Sequence, residues 1–389
     1  MKNNRQLSKA EKEFHLDIIA KYRDNLRIVP NLKQMFIEMT LNCNEHCRHC
    51  GSNCGDVKME NQLTDQEILD MLATLKTKVE HLPFLNITGG EPLLRPNFYE
   101  LMTKIHEMGY HWGMTSNGVL ITKEVAKKLK NAGMYSVSIS LDGLKETHEW
   151  FRNSKGSYNK TIQALKNLLE LDFGNVMATT VVHKRNLNEL EDIYKVVKEL
   201  GVDSWRVINV EPIGRALTDD EIRLESKDYK YIIDFIMEKR KSDKEMDVAF
   251  GCNHYLGIKR ELETRPWFFM CTAGITTAGI FYNGDIAACL DIDRRPETIQ
   301  GNVRTDDLYD TWINKFEIFR QDKTKDSKKC STCKHNRYCG GGGYHTWDAE
   351  NKKPKLCMIE EIKKAKKEEK SSKKENKKNN KKEKSKKKK

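Results

Sequence analysis

Leu41 to Gly51 reads LNCNEHCRHCG, and it follows FIEMT, Phe36 to Thr40. The alternating apolar residues and β-formers of FIEMT predict a buried strand that runs into a loop. On that loop Cys43, Cys47 and Cys50 stand in a C-x3-C-x2-C spacing. Three thiolates on one tight loop suit three corners of a cubic iron-sulfur cluster and leave one iron without a protein ligand, open to a second molecule. The same spacing admits three zinc ligands, since C-x2-C also suits zinc, or three buried thiols. Cys54 extends the series to C-x3-C-x2-C-x3-C, and a fourth thiolate would close the cluster into a plain electron carrier.

A second stretch, TGGEP at Thr88 to Pro92, follows another strand-like run, Phe84 to Ile87. Paired glycines let a backbone approach a ligand closely, and a neighbouring carboxylate can accept hydrogen bonds from an amino group. The cysteine trio after a first strand and GGEP after a second resemble the radical S-adenosylmethionine superfamily, and the resemblance runs from about Phe36 to Met358. It implies that Cys43, Cys47 and Cys50 bind a 4Fe-4S cluster whose unique iron is chelated by the amino and carboxylate groups of S-adenosylmethionine. It further implies that Gly89, Gly90 and Glu91 contact the methionine amino group, and that Cys54 is not a ligand.

The 389 residues can bury one large core or two moderate ones, and 38% hydrophobic with 32% charged residues is an ordinary soluble composition. Neither a run of eighteen apolar residues nor a charged-then-apolar leader is present, so the expectation is a cytoplasmic protein with no membrane span. Eleven cysteines in a reducing compartment favour cluster or metal ligation over disulfides. The net charge of +12 invites a nucleic-acid reading, but Lys363 to Lys389 hold 16 Lys and 4 Glu, which is the whole of it. The rest of the chain is neutral, so nucleic acid is not an expected partner. The tail has too little apolar surface to order itself and reads as disordered, either solubilising or a holder of acidic surfaces.

Residues 1–33 form a helical extension in which Phe14, Ile18 and Ile19 make a short apolar stripe between Leu7 and Tyr22, expected to pack against the barrel. Strands and helices then alternate over 34–240, opened by a Thr64/Glu67 capping box. Six such units predict an α/β fold, a partial (β/α)6 TIM-like barrel with functional residues at the C-terminal ends of its strands. TSNG, Thr115 to Gly118, and SLDG, Ser140 to Gly143, fall at such ends. The resemblance implies that Ser116, Asn117 and Ser140 lie near the ribose or methionine of the cofactor and that Arg152 pairs with its carboxylate. PIGRA, Pro212 to Ala216, resembles a segment on the adenine side; read from its residues alone it is a turn before a helix.

Beyond a bridging segment, 241–265, the chain becomes cysteine-rich over 266–360. Cys271, Gly284 and Cys289 are spaced C-x12-G-x4-C, and Ala278 to Leu290 predicts a β-hairpin turned at Asn283-Gly284. Cys330, Cys333 and Cys339 follow as C-x2-C-x5-C, then Cys357; the disordered tail begins at 361. The array resembles the SPASM extension, an auxiliary-cluster domain of radical enzymes that modify peptides and proteins. The resemblance implies that Cys330, Cys333, Cys339 and Cys357 complete one auxiliary 4Fe-4S cluster. Gly343 stands where a further cysteine is expected, which leaves Cys271 and Cys289 two ligands short, with Cys252 or His345 as candidates to complete that site. A structural zinc site is the alternative for the whole array. Cys252 is also a candidate hydrogen-atom donor to a substrate radical, or a buried spare thiol.

The expected function is reductive cleavage of S-adenosylmethionine to a 5'-deoxyadenosyl radical that modifies a peptide or protein by hydrogen abstraction, forming a thioether or carbon-carbon crosslink or otherwise altering a residue. A one-electron donor of flavodoxin or ferredoxin type is the implied partner. Modification of a cofactor precursor and peptide epimerisation are alternatives within enzymes. An iron-sulfur or zinc protein whose basic tail grips an anion is the alternative from another class.

Overall fold

A computed structural model describes residues 7–55, 60–251 and 254–386, with side chains through 375. Helix α1 (Lys9–Ile28) leads into strand β1 (Gln34–Glu38), after which strand and helix alternate: α2 (Asp65–Lys78), β2 (Phe84–Thr88), α3 (Phe98–Glu107), β3 (Trp112–Ser116), α4 (Lys123–Asn131) and β4 (Met134–Ser140). Two helices, α5 (Lys145–Arg152) and α6 (Ser157–Leu169), precede β5 (Asn175–Val182), and α7 (Leu190–Leu200), β6 (Ser204–Asn209) and α8 (Ser226–Ser242) complete the expected six units. Strands β1 to β6 are parallel and adjacent in sequence order, as short right-handed crossovers require. Thr64 caps α2 as read from the sequence, with its hydroxyl accepting from Glu67 N and the Glu67 carboxylate accepting from Thr64 N at 2.7 Å.

Alternation along the strands sorts the two faces. On β6, Trp205 and Val207 are buried toward the helices, where Trp205 meets Phe235 of α8 and Tyr194 of α7 with ring centroids 6.1 Å apart in each case. Arg206, between them, points to the other face and reaches Thr179 of β5 at 3.2 Å and Ser138 of β4 at 3.4 Å. The helix-side layer is thus an apolar core, and the sheet's concave side is lined with hydroxyls and a guanidinium.

Four expectations are corrected. The bridging segment contributes β7 (Asp247–Phe250), parallel to β6; DVAF is too short a run to read as a strand from its pattern. The C-terminal hairpin, β8 (Thr277–Ile280) and β9 (Asp285–Ala287), turns at Asn283-Gly284 as expected, but β8 pairs in parallel with β1, so with β10 (Ile299–Asn302) it extends the barrel sheet to ten strands. Helix α1 packs on the C-terminal region instead of the barrel, because the stripe that repeats at i, i+3, i+4 is Leu16, Ile19 and Ala20; Leu16 and Ile19 cluster with Tyr255, Phe268 and Phe269, and Phe14 and Ile18 face outward. The tail continues as a helix, Met358–Lys386, since Met358, Ile362 and Ala365 form one buried stripe at its start and Glu369 pairs with Lys230 of α8 at 2.9 Å.

Candidate active site

The cysteine loop leaves β1 and is held by the rim around it. Gly90 N donates to Thr40 O at 2.7 Å and Glu91 N to Asn42 O at 2.8 Å, so the end of β2 is stitched to the loop. Any Cβ on Gly90 would lie 2.1 Å from Asn42 O, and one on Gly89, which is at φ +150°, would lie 2.4 Å from Thr40 O. Only glycines permit this approach. On the far side PIGRA clamps the same loop: Arg215 donates from Nε to Cys47 O at 2.7 Å and from its backbone to Cys50 O at 3.1 Å. Arg48 N donates to Phe151 O of α5 at 2.9 Å.

Burial pushes the Cys43 thiol up to about 11 and Cys47 up to about 12, and negative charge on Cys50 pushes both further in the same direction. Cys50 itself is drawn down to about 6, first by a hydrogen bond from Cys54, which is correspondingly raised. Three mutually repelling thiolates in a partly desolvated loop need a cation among them, and the protein supplies only guanidinium charge at its edge, Arg152 at 3.6 Å from Cys47 Sγ and Arg215, which lowers Cys50. The donor set therefore suits iron, which neutralises thiolates on binding.

Glu91 is fully buried and accepts from Ser116 Oγ at 3.0 Å, from Asn117 N at 3.0 Å and from Leu93 N at 3.4 Å. Burial outweighs these bonds and raises its carboxyl to about 7. Asn117 Nδ2 donates to Asn44 Oδ1 at 2.7 Å and lies 4.0 Å from Cys43 Sγ. The structure thus brings Gly89, Gly90, Glu91, Ser116 and Asn117 together with the cysteine loop. Ser140 sits half-exposed at the end of β4, on the register of Ser138 that faces the concave side. Arg152 also reaches the loop, but its guanidinium is committed to Asp142 (Nε to Oδ2, 2.7 Å) and reaches Glu45 at 3.5 Å. The sequence reading quoted SLDG and PIGRA without singling out Asp142 and Arg215, and it missed Arg206; the cation at the inward register of Ser204 to Val210, SWRVINV, was the available signal.

The second cysteine system forms a separate centre. Cys330, Cys333, Cys339 and Cys357 line one cavity of about 80 Å³, together with His254 and Tyr255. Burial raises Cys339 to about 12 and raises Cys357. Among the described residues no three His, Cys, Asp or Glu side chains gather closely enough for a single ion; these four thiols surround a volume instead, as a cluster requires. His254 joins this centre to the barrel, with Nε2 2.7 Å from Oε1 of Glu211, just beyond β6. Cys271 and Cys289 flank the open end of the β8–β9 hairpin; Cys271 lines a smaller cavity, about 20 Å³, which Cys339 also lines. Cys252 lies outside the described residues.

Comparison with known proteins agrees with this geometry. The profile of the radical SAM superfamily matches residues 37–197, and that of SPASM, an iron-sulfur cluster-binding domain, matches 271–334. The AdoMet-dependent heme synthase of Methanosarcina barkeri is 29% identical over 320 residues, covering 78% of this chain and 89% of the relative. The mycofactocin maturase MftC of Mycolicibacterium smegmatis is 28% identical over 309 residues, covering 78% and 76%. Among solved structures, anSMEcpe with bound AdoMet and Cp18Cys peptide has a TM-score of 0.67 at 19% identity, covering 86% of this chain and 96% of the other, a likeness of fold. The protein belongs to the radical S-adenosylmethionine superfamily: it is an enzyme with a SPASM-type domain, and its cofactors are S-adenosylmethionine, a 4Fe-4S cluster that binds it and an auxiliary 4Fe-4S cluster.

Proposed function

We propose that the chain modifies a residue of a peptide or protein, with Cys43, Cys47 and Cys50 holding the S-adenosylmethionine-binding cluster and Cys330, Cys333, Cys339 and Cys357 the auxiliary one. When bound, the first cluster and S-adenosylmethionine supply a 5'-deoxyadenosyl radical by one-electron reduction, the electron coming from a flavodoxin- or ferredoxin-type donor. The protein's own part is placement. The Gly89-Gly90 backbone leaves room for the methionine amino group, and Asn117 and Ser140 border the place for the nucleoside. Glu91 holds the TSNG loop against the cysteine loop. Arg152, anchored by Asp142, steadies charge at Cys47. The concave face, with Ser138, Thr179 and Arg206, receives the substrate and excludes bulk water.

The observation that carries this reading is the second thiol-lined cavity, joined to the barrel rim through His254 and Glu211. A second centre can take up the electron left when a substrate radical is oxidised, which suits crosslink formation better than redox-neutral epimerisation. The likeness to a mycofactocin maturase and to a peptide-bound fold favours a peptide. The 29% identity with a heme synthase favours a second reading, a small-molecule cofactor precursor.

Anaerobically reconstituted protein with dithionite is expected to form 5'-deoxyadenosine, and Cys43→Ala to form none. A short peptide encoded beside this chain should then change mass. An unchanged peptide alongside turnover of a cofactor precursor would favour the second reading; absence of 5'-deoxyadenosine from the wild type would overturn both.

A further inference from the structure

A SPASM domain commonly offers a second auxiliary site, and here its thiols are Cys271 and Cys289. The cavity that Cys271 lines has Cys339 as its other thiol, and Cys289 is not on its walls. The space is about 20 Å³, against about 80 Å³ at the four-cysteine centre. Gly343 replaces a donor, and the walls carry three cationic side chains: Arg23 and Arg27 from α1, and Lys323. Lys323 turns its ammonium inward. Nζ donates to Gly342 O at 2.7 Å and lies over the rings of Tyr344 and Trp347, at 4.3 and 5.0 Å. A ring face and a carbonyl are the surroundings that hold a desolvated cation. Cys339 shares this small space and also lines the four-cysteine cavity, so Lys323 stands on the far side of one of that cavity's own thiols.

We propose that the chain carries a single auxiliary cluster, and that Lys323 fills the place of the second as a positioning residue whose positive charge favours the reduced state of the remaining one. A cation in a poorly solvated interior acts on a neighbouring redox centre with little screening, and added electron density at that centre is stabilised by it. The consequence is a better acceptor for a substrate-derived electron. This inference rests on the assignment of Cys330, Cys333, Cys339 and Cys357 as cluster ligands, and it is independent of which substrate is modified.

The test uses the full chain, reconstituted anaerobically. Wild-type protein should hold about eight iron atoms, two 4Fe-4S clusters, and the triple variant Cys43→Ala/Cys47→Ala/Cys50→Ala about four. In that triple background an EPR-monitored redox titration should show the auxiliary midpoint shifted to lower potential by Lys323→Met and restored by Lys323→Arg. About twelve iron atoms in the wild type would overturn the single-cluster assignment, and an unshifted midpoint in Lys323→Met would overturn the role of Lys323. A triple variant devoid of iron would overturn the ligand assignment beneath both. Failure to modify any peptide, with these iron counts and this shift intact, would count against the proposed substrate alone and leave the inference supported.

Discussion

Gly90 shows how much of the site depends on a missing side chain. Its amide bonds Thr40 O at 2.7 Å, and a methyl group there would meet backbone oxygen at 2.1 Å, where nothing flexible can yield. Gly90→Ala must therefore push the end of β2 off the cysteine loop, at a cost of about 1–3 kcal/mol, and iron retained after anaerobic reconstitution should fall with it. Glu91, next in the chain, carries a pH signature. Because burial raises its carboxyl from 4.5 to about 7, the native state holds a proton that the unfolded chain has released. The stability it contributes is complete below about 4.5 and is lost as pH rises through about 7, up to roughly 3 kcal/mol. Thermal melts from pH 5 to 8 should decline more steeply for the wild type than for Glu91→Gln; parallel curves would exclude a buried, protonated Glu91. The three cysteines and GGE were legible because each needs its neighbours at fixed sequence distance. Asp142, Arg215 and Lys323 were not, since what makes them matter is a partner distant in sequence: Cys47 O for Arg215, Gly342 O for Lys323.

At the level of elements, the six βα units could be read because each strand is a short β-forming run closed by a helix with its own cap or glycine stop. The pairing of β8 with β1 could not, because local pattern records that a hairpin forms and not which edge it joins. What secures that edge is an ion pair. Glu38, at the end of β1 and nearly buried, accepts two bonds from Arg294 at 2.7 and 2.9 Å and one from Tyr282 N at 3.2 Å, while Arg294 lies over Phe281 at 3.9 Å. Burial raises the Glu38 carboxyl, and Arg294 offsets only part of that rise. Arg294→Ala strands a carboxylate inside the sheet edge; since the guanidinium is itself about one-third exposed, the expected loss is roughly 2 kcal/mol, not the full cost of breaking a buried pair. Adding Glu38→Gln should recover part of it. A double-mutant cycle in urea with no coupling between the two would show that the hairpin is held by its backbone ladder alone.

Across the whole molecule, charge and packing divide the C-terminal helix into two parts. Its first turns carry Cys357 at their threshold and bury Met358, Ile362 and Ala365, each of them 4% exposed or less. Beyond Glu369 the sequence is Lys, Glu, Asn and Ser, and the run from Lys363 onward carries the entire +12. Side chains of that composition bury no apolar surface, and exposed like charges along one helix repel, so the segment adds little to the fold. The Lys230–Glu369 pair at its boundary is partly exposed and contributes at most about 1 kcal/mol. A chain ending at Lys370 should consequently unfold within about 0.5 kcal/mol of the full chain and reconstitute the same iron, while its retention on a cation exchanger drops sharply. Ending the chain at Leu356 should behave differently, because it removes Cys357, a proposed cluster ligand, together with three buried side chains: one cluster's worth of iron should be lost and the melt should fall well beyond the surface-residue range. If the Lys370 truncation instead lost iron, the lysine-rich segment would be part of the auxiliary centre's support and not an electrostatic appendage.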